Sequence, residues 1–153
     1  MIETATHHGT VVVERTLGAP AARLYGAFAD PRERERWAAP SDTAVFTYEE
    51  ADFRVGGRDL ARCGPKQDPR YSVEARYLDI VPARRIIWTE TIHDGDKMLA
   101  ANLATLELMP EGQSTQVRVT VQVASLVGAA MIENTRAGHE GSLAGMARYL
   151  EGR

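Results

Sequence analysis

Met131-Ile-Glu-Asn-Thr-Arg-Ala-Gly-His-Glu-Gly-Ser-Leu-Ala-Gly-Met-Ala-Arg-Tyr-Leu150 reads as one long amphipathic helix. From Ile132, the residues Arg136, His139, Leu143, Met146 and Leu150 follow at alternating spacings of four and three, which stack them on one side. At about 1.5 Å per residue such a helix is roughly 30 Å long, enough to cross a small domain end to end. Three glycines interrupt it. Gly138, Gly141 and Gly145 each cost about 1 kcal/mol against alanine inside a helix, so they point to close backbone approach or to space left for a ligand.

The residues before this helix alternate with the period of strands. Val11 to Leu17 is the first strand, and Pro20 then opens a short helix in which Ala21, Leu24, Tyr25 and Phe28 share a face. A second short helix follows, with Asp30 as N-cap, Pro31 at the first helical position, Glu33 three residues after the cap and Trp37 near the end. Trp37 is expected to be buried. Six β-rich runs come next: Ala44 to Glu50, Arg58 to Cys63, Tyr71 to Ile80, Arg85 to His93, Ala101 to Leu108 and Gln116 to Val123. The breaks between them are hairpin-length and hold Gly, Pro and Asp, as at Gly56-Gly57 and Asp94-Gly95. Consecutive strands so joined form an antiparallel meander. Val117, Val119, Val121 and Val123 mark its dry face, and Ala104, Leu106 and Leu108 agree with them. The fold class is therefore α+β, a seven-stranded sheet whose one apolar face is covered by the long helix.

Size and charge narrow the function. The 153 residues are 44% hydrophobic, enough for one domain with a real core; residues 1–9 read as a loose N-terminal segment and 10–153 as that domain. A net charge of -3 offers no basic footprint, so nucleic acid is not an expected partner. Arg32-Glu33-Arg34-Glu35-Arg36 alternates in sign and reads as a solvated helix face. Neither a signal peptide nor a membrane span is evident. With a single cysteine, Cys63, internal disulfides are excluded, and a soluble cytoplasmic protein is expected.

The Ala19-Pro20 helix start, the Asp30-Pro31 to Trp37 helix, the Val55-Gly56-Gly57-Arg58 turn, the Tyr77-Leu78-Asp79-Ile80-Val81-Pro82 strand end followed by Arg85-Ile86-Ile87-Trp88-Thr89, and the closing helix together resemble the SRPBCC superfamily. Within it the chain is most similar to the branch named after the homologue of the activator of heat shock protein 90 ATPase. The resemblance spans about Val11 to Leu150. It implies a helix-grip, START-like or Bet v-like fold, in which the sheet grips the C-terminal helix around a cavity that in many members takes hydrophobic or aromatic small molecules. Members of this branch usually carry Gly-Trp early in the final helix. Here Gly138 is followed by His139, a titratable group in place of an aromatic wall.

The expected cavity wall is Trp37, Phe46, Tyr48, Trp88 and Met146, with Glu90, Arg136 and His139 as polar groups that orient a small apolar or aromatic ligand. Alternation puts Glu90 on one face with Ile86, Trp88 and Ile92. Arg136 and His139, three apart, should reach the same cavity, and with imidazolium as the binding form affinity for an anionic ligand would fall as pH rises. For the strand before, alternation from Leu78 and Ile80 brings Glu74 and Arg76 inward, whereas a β-bulge would bring Tyr71, Val73 and Tyr77 in instead. No metal or cofactor is expected: His139-Glu140 begins a zinc-protease motif, but Leu143 stands where its second histidine belongs. Gly56-Gly57 is a turn, and Cys63 a small filler. Two other functions stay open, an enzyme similar to the polyketide aromatase/cyclases of the superfamily and a co-chaperone-like interaction module. Exposed sheet edges make a homodimer conceivable.

Overall fold

The computed structural model describes residues 5–152. Strand β1 (His7–Leu17) leads into helices α1 (Ala21–Ala29) and α2 (Pro31–Trp37), followed by β2 (Ala44–Glu50), β3 (Arg58–Pro65), β4 (Tyr71–Val81), β5 (Arg85–Asp94), β6 (Lys97–Glu111), β7 (Ser114–Ser125) and the long helix α3 (Ala130–Leu150). The strands form one seven-stranded antiparallel sheet in the order β1-β7-β6-β5-β4-β3-β2. This is the α+β helix-grip architecture anticipated from the alternation. No helix of the described residues is long and apolar enough to cross a membrane.

His7 to Gly9, placed by the sequence in a loose segment over residues 1–9, belong instead to β1. His7, His8 and Gly9 pair with Ser125, Ala124 and Val123, because β7 runs on past Val123 and offers its edge to them. Gly9 also lies against α3, since a Cβ there would meet Ile132 Cδ1 at 2.8 Å. Met1 to Thr4 lie outside the described residues. Strand β6 likewise outruns its expected bounds at both ends, starting at Lys97 directly after the Asp94–Lys97 turn, where Gly95 takes the positive φ of 61°.

Core residues follow the period of two. Val117, Val119, Val121 and Val123 are at most 3% exposed, as are Ala104 and Leu106 across the ladder, and Leu143 and Met146 of α3 close over them. Strand β4 obeys the bulged alternative. Its register with β5 slips between Tyr77 and Asp79, leaving Leu78 as the extra, half-exposed residue. Below the slip Tyr71, Val73, Ala75 and Tyr77 point to the helix side, and Glu74 faces away to pair with Arg58 at 3.1 Å. Arg76 is turned outward too, toward the carbonyl of Gly56.

Asp30 caps α2 by accepting from the amide of Arg32 at 2.9 Å. Two glycines then set how α3 passes it. A Cβ on Gly141 would stand 2.1 Å from the carbonyl oxygen of Pro40, and one on Gly145 2.5 Å from that of Trp37. Gly138 meets nothing within 4 Å. The two meanings of a helical glycine, close approach and empty space, are thus both present one turn apart.

That contrast gives opposite outcomes for one substitution. Gly138→Ala should stabilise the protein by about 1 kcal/mol through helix propensity, whereas Gly141→Ala should destabilise it by about 1–3 kcal/mol through overpacking against a backbone carbonyl. Urea unfolding of both variants checks the signs.

Candidate functional site

Helix α3 packs mainly on β1, β7 and α2, which leaves a space between it and the inner side chains of β2 to β5. A cavity of about 480 Å³ fills that space. Its walls come from alternate residues of each strand: Phe46 and Tyr48 of β2, Asp59 and Ala61 of β3, Val73 and Tyr77 of β4, and Ile86, Trp88, Glu90 and Ile92 of β5. Phe28, Arg34 and Trp37 contribute from α1 and α2, and Thr135, Gly138, His139 and Ser142 from α3.

Six of the eight residues singled out from the sequence therefore meet around one space: Trp37, Phe46, Tyr48, Trp88, Glu90 and His139. Trp37 is 5% exposed, donates its indole N–H to the carbonyl of Ala27 at 3.1 Å and packs edge-on to Phe28 with ring centroids 4.7 Å apart. The other two stand elsewhere. Met146 is wholly buried in the core between α3 and the sheet. Arg136 turns to the β1 edge, where Nη1 donates to the carbonyl of Val12 at 3.1 Å and Nε lies 3.5 Å from Glu133. The line of α3 that faces the cavity is Met131, Thr135, Gly138 and Ser142. Ile132 and Arg136 sit one residue further round, about 100° away on a helix of 3.6 residues per turn, and so face β1.

Glu90 accepts two hydrogen bonds, from Trp88 Nε1 at 2.8 Å and from Asn102 Nδ2 at 3.1 Å. Asn102 is its cross-strand partner on β6 and is buried. His139 lines the same cavity and feels the charge of this carboxylate. Burial lowers the imidazole pKa below its ordinary value, and the charge of Glu90 opposes that only in part. The neutral ring is thus the resting form, which removes the imidazolium expected as an anion holder.

The second polar group of the cavity was hidden in the alternating charge run. Arg34 is not solvated: it is 7% exposed and its Nη1 lies 2.7 Å from Oδ2 of the equally buried Asp59. Tyr48 and Tyr77 hydroxyls stand 3.0 Å from the same nitrogen, Tyr77 also donates to Asp59 Oδ2, and the amide of Asp52 donates to Oδ1 at 3.0 Å. The guanidinium carbon lies 4.4 Å from the Tyr48 ring centroid. Burial pushes the Tyr48 hydroxyl up to about 12 and Tyr77 higher still, so both remain protonated donors. One signal did exist in the sequence. Arg34 precedes the buried Trp37 by three residues, which puts the two on one helix face. Among the described residues no cluster of His, Cys, Asp and Glu could hold a metal ion.

Breaking the buried pair from one side leaves an uncompensated charge. Asp59→Ala should cost about 3–5 kcal/mol, and Arg34→Met with Asp59→Leu much less, because the double change removes both charges; denaturant midpoints distinguish the two. For His139 the pH effect has a definite sign. Its folded pKa lies below the unfolded value of about 6.5, so the stability it contributes is complete above that value and is lost as pH falls through it toward the folded pKa. The drop in stability between pH 7.5 and 5.5 should accordingly be smaller in His139→Gln than in the parent, as read by urea titration at both pH values.

The model of the Activator of Hsp90 ATPase homolog 1-like family matches residues 18–151. No curated protein sequence matches the chain. Among solved structures the chain is similar to protein Mll3558 of Rhizobium loti, with 33% identity, a TM-score of 0.82, and coverage of 94% of this chain and 98% of that one. An uncharacterised protein of Rhizobium leguminosarum follows at 29% identity and TM-score 0.84, covering 97% and 98%, and CV1439 of Chromobacterium violaceum at 28% and 0.82, covering 93% and 96%. Sequence match and fold agree, and the chain belongs to the Activator of Hsp90 ATPase homolog 1-like branch of the SRPBCC superfamily.

Proposed function

We propose that this protein binds a small hydrophobic or aromatic molecule in the cavity between its sheet and α3. The observation that carries the reading is the cavity itself. About 480 Å³ lined by aromatic and aliphatic side chains and open on one side, with a few polar groups set into the wall, has the size and chemistry of a small-molecule site. A folded core of this composition ordinarily closes such a space. The family is one that binds hydrophobic ligands, and the helix glycine with open space before it, Gly138, stands where a larger residue would fill the hollow.

A second reading is favoured by one feature. A neutral His139 in the same cavity as the Glu90 carboxylate is able to take a proton from a bound molecule at neutral pH, so an enzyme similar to the aromatase/cyclases is the alternative. Recovery of an added ligand chemically unchanged after long incubation argues for binding alone.

N-Phenyl-1-naphthylamine, a neutral apolar fluorophore, should show saturable fluorescence enhancement with the wild-type protein. Gly138→Leu should abolish it while leaving the melting temperature undiminished, because the new side chain enters the cavity from a helix position that gains propensity. Equal probe binding by the two proteins would place the probe outside the cavity.

A further inference from the structure

Glu90 is a carboxylate in the cavity wall whose partners are all neutral. One oxygen accepts from Trp88 Nε1 at 2.8 Å and the other from Asn102 Nδ2 at 3.1 Å, and it forms no ion pair among the described residues. Each oxygen keeps a lone pair for a further donor. The side chain is only partly buried, and alternation along β5 sets it on the inner face with Trp88 and Ile92, so the surface it keeps opens into the cavity. Ala75, its cross-strand partner on β4, also lines the cavity. A side chain that ends at a methyl leaves the carboxylate uncovered from that direction.

The charges of the wall do not sum to zero. Its acidic and basic side chains are Arg34, Asp59, Glu90 and His139. Arg34 is matched by Asp59 at 2.7 Å, and burial keeps the His139 imidazole neutral, so one carboxylate is left over. A carboxylate in an aromatic recess is costly without an opposite charge, and a cation is held there more strongly than in water. The rings favour the same partner. The Trp88 indole stands beside the carboxylate through its own hydrogen bond, Phe46 and Tyr71 line the same space, and aromatic faces attract an organic cation as alkyl walls do not.

Granting that the cavity takes an apolar molecule, we propose that this molecule carries an ammonium group and that Glu90 is its counterion. The ligand class is a primary or secondary amine on a flat apolar body. Its N–H bonds go to the free lone pairs of Glu90, its charge completes the balance of the wall, and its body lies against Trp37, Phe46 and Trp88. A ligand carboxylate would set a third negative charge against one guanidinium, and an alcohol would donate a hydrogen bond but leave the charge standing.

Three probes of nearly the same shape separate the possibilities: 2-(aminomethyl)naphthalene, 2-(hydroxymethyl)naphthalene and 2-naphthoate, each used at pH 7 to displace N-phenyl-1-naphthylamine. An alkylamine is a cation at that pH. The amine should displace the fluorophore at a concentration roughly 10-fold or more below that of the alcohol, with 2-naphthoate the weakest of the three. Glu90→Gln keeps the shape and removes the charge, so the ratio of amine to alcohol affinity should fall to about parity. Calorimetry on the wild type carries the test if that variant folds poorly. Near the amine's own pKa, where part of the free amine is neutral, binding should take up protons, seen as a heat that changes with the ionisation enthalpy of the buffer. Equal affinity of amine and alcohol, a ratio that survives Glu90→Gln, binding without proton uptake, or 2-naphthoate as the tightest probe overturns the assignment and leaves the cavity reading standing. If the fluorophore and all three probes fail to bind the wild type, the cavity reading falls and this assignment with it.

Discussion

The buried ion pair between Arg34 and Asp59 is the joint on which the site depends. Helix α2 is seven residues long, far too short to persist by its own hydrogen bonds, and it must be held by what it touches. On the sheet side Arg34 reaches Asp59 of β3 together with Tyr48 of β2 and Tyr77 of β4, so one side chain ties α2 to three strands. Glu35 adds a fourth tie by accepting from the amide of Tyr48 at 2.8 Å. On the other side α2 and the segment after it meet α3, where Ser142 donates to the carbonyl of Ala38 at 2.5 Å and Tyr149 to Glu33 at 2.7 Å. The short helix is a bracket between the far half of the sheet and the long helix.

That bracket explains why there is a hollow at all. Two glycines allow α3 to pass within contact of the Pro40 and Trp37 carbonyls, and the helix is thereby drawn toward β1, β7 and α2 and away from the middle of the sheet. Where it lies on the sheet, the valines of β7 and Leu106 and Leu108 of β6 pack to zero or near-zero exposure. Where it does not, the same inward alternation in β2 to β5 produces the walls of the cavity. One periodic pattern thus yields two outcomes, decided by the seat of a single helix.

Most of the architecture was legible because it rests on periodicity. The order of elements, the sense of β5, β6 and β7 and the burial of Trp37 all follow from spacings of two or of three and four. The failures have local causes. Arg136 shares a helical stripe with Leu143 in projection, yet a helix seated obliquely shows different sides to the sheet at its two ends, and projection carries no seat. Arg34 was lost in an alternating charge run, although its position one turn before Trp37 pointed inward. Leu78 deceived in the opposite way, an apolar residue squeezed out of the ladder by the slip between Tyr77 and Asp79. Glu90 was readable from its apolar neighbours on β5, but its anchors Trp88 and Asn102 became a network only when β6 was laid beside it.

Stability alone does not account for the polar end of the cavity. A buried ion pair can be exchanged for apolar residues of similar volume with little loss and often with gain, so holding α2 in place did not require charge. Nor did it require an arginine. A lysine would have balanced Asp59 through one ammonium, without the planar group that sets Nη1 against Asp59, Tyr48 and Tyr77 together. What the guanidinium supplies beyond the ion pair is direction: a planar group, clamped by Asp59 and the two tyrosine hydroxyls, set over the Tyr48 ring, with Nε and Nη2 buried and without a partner among the described residues. Asp59, Tyr48 and Tyr77 fix where that group lies, and the cavity wall beside α2 is polar because of it.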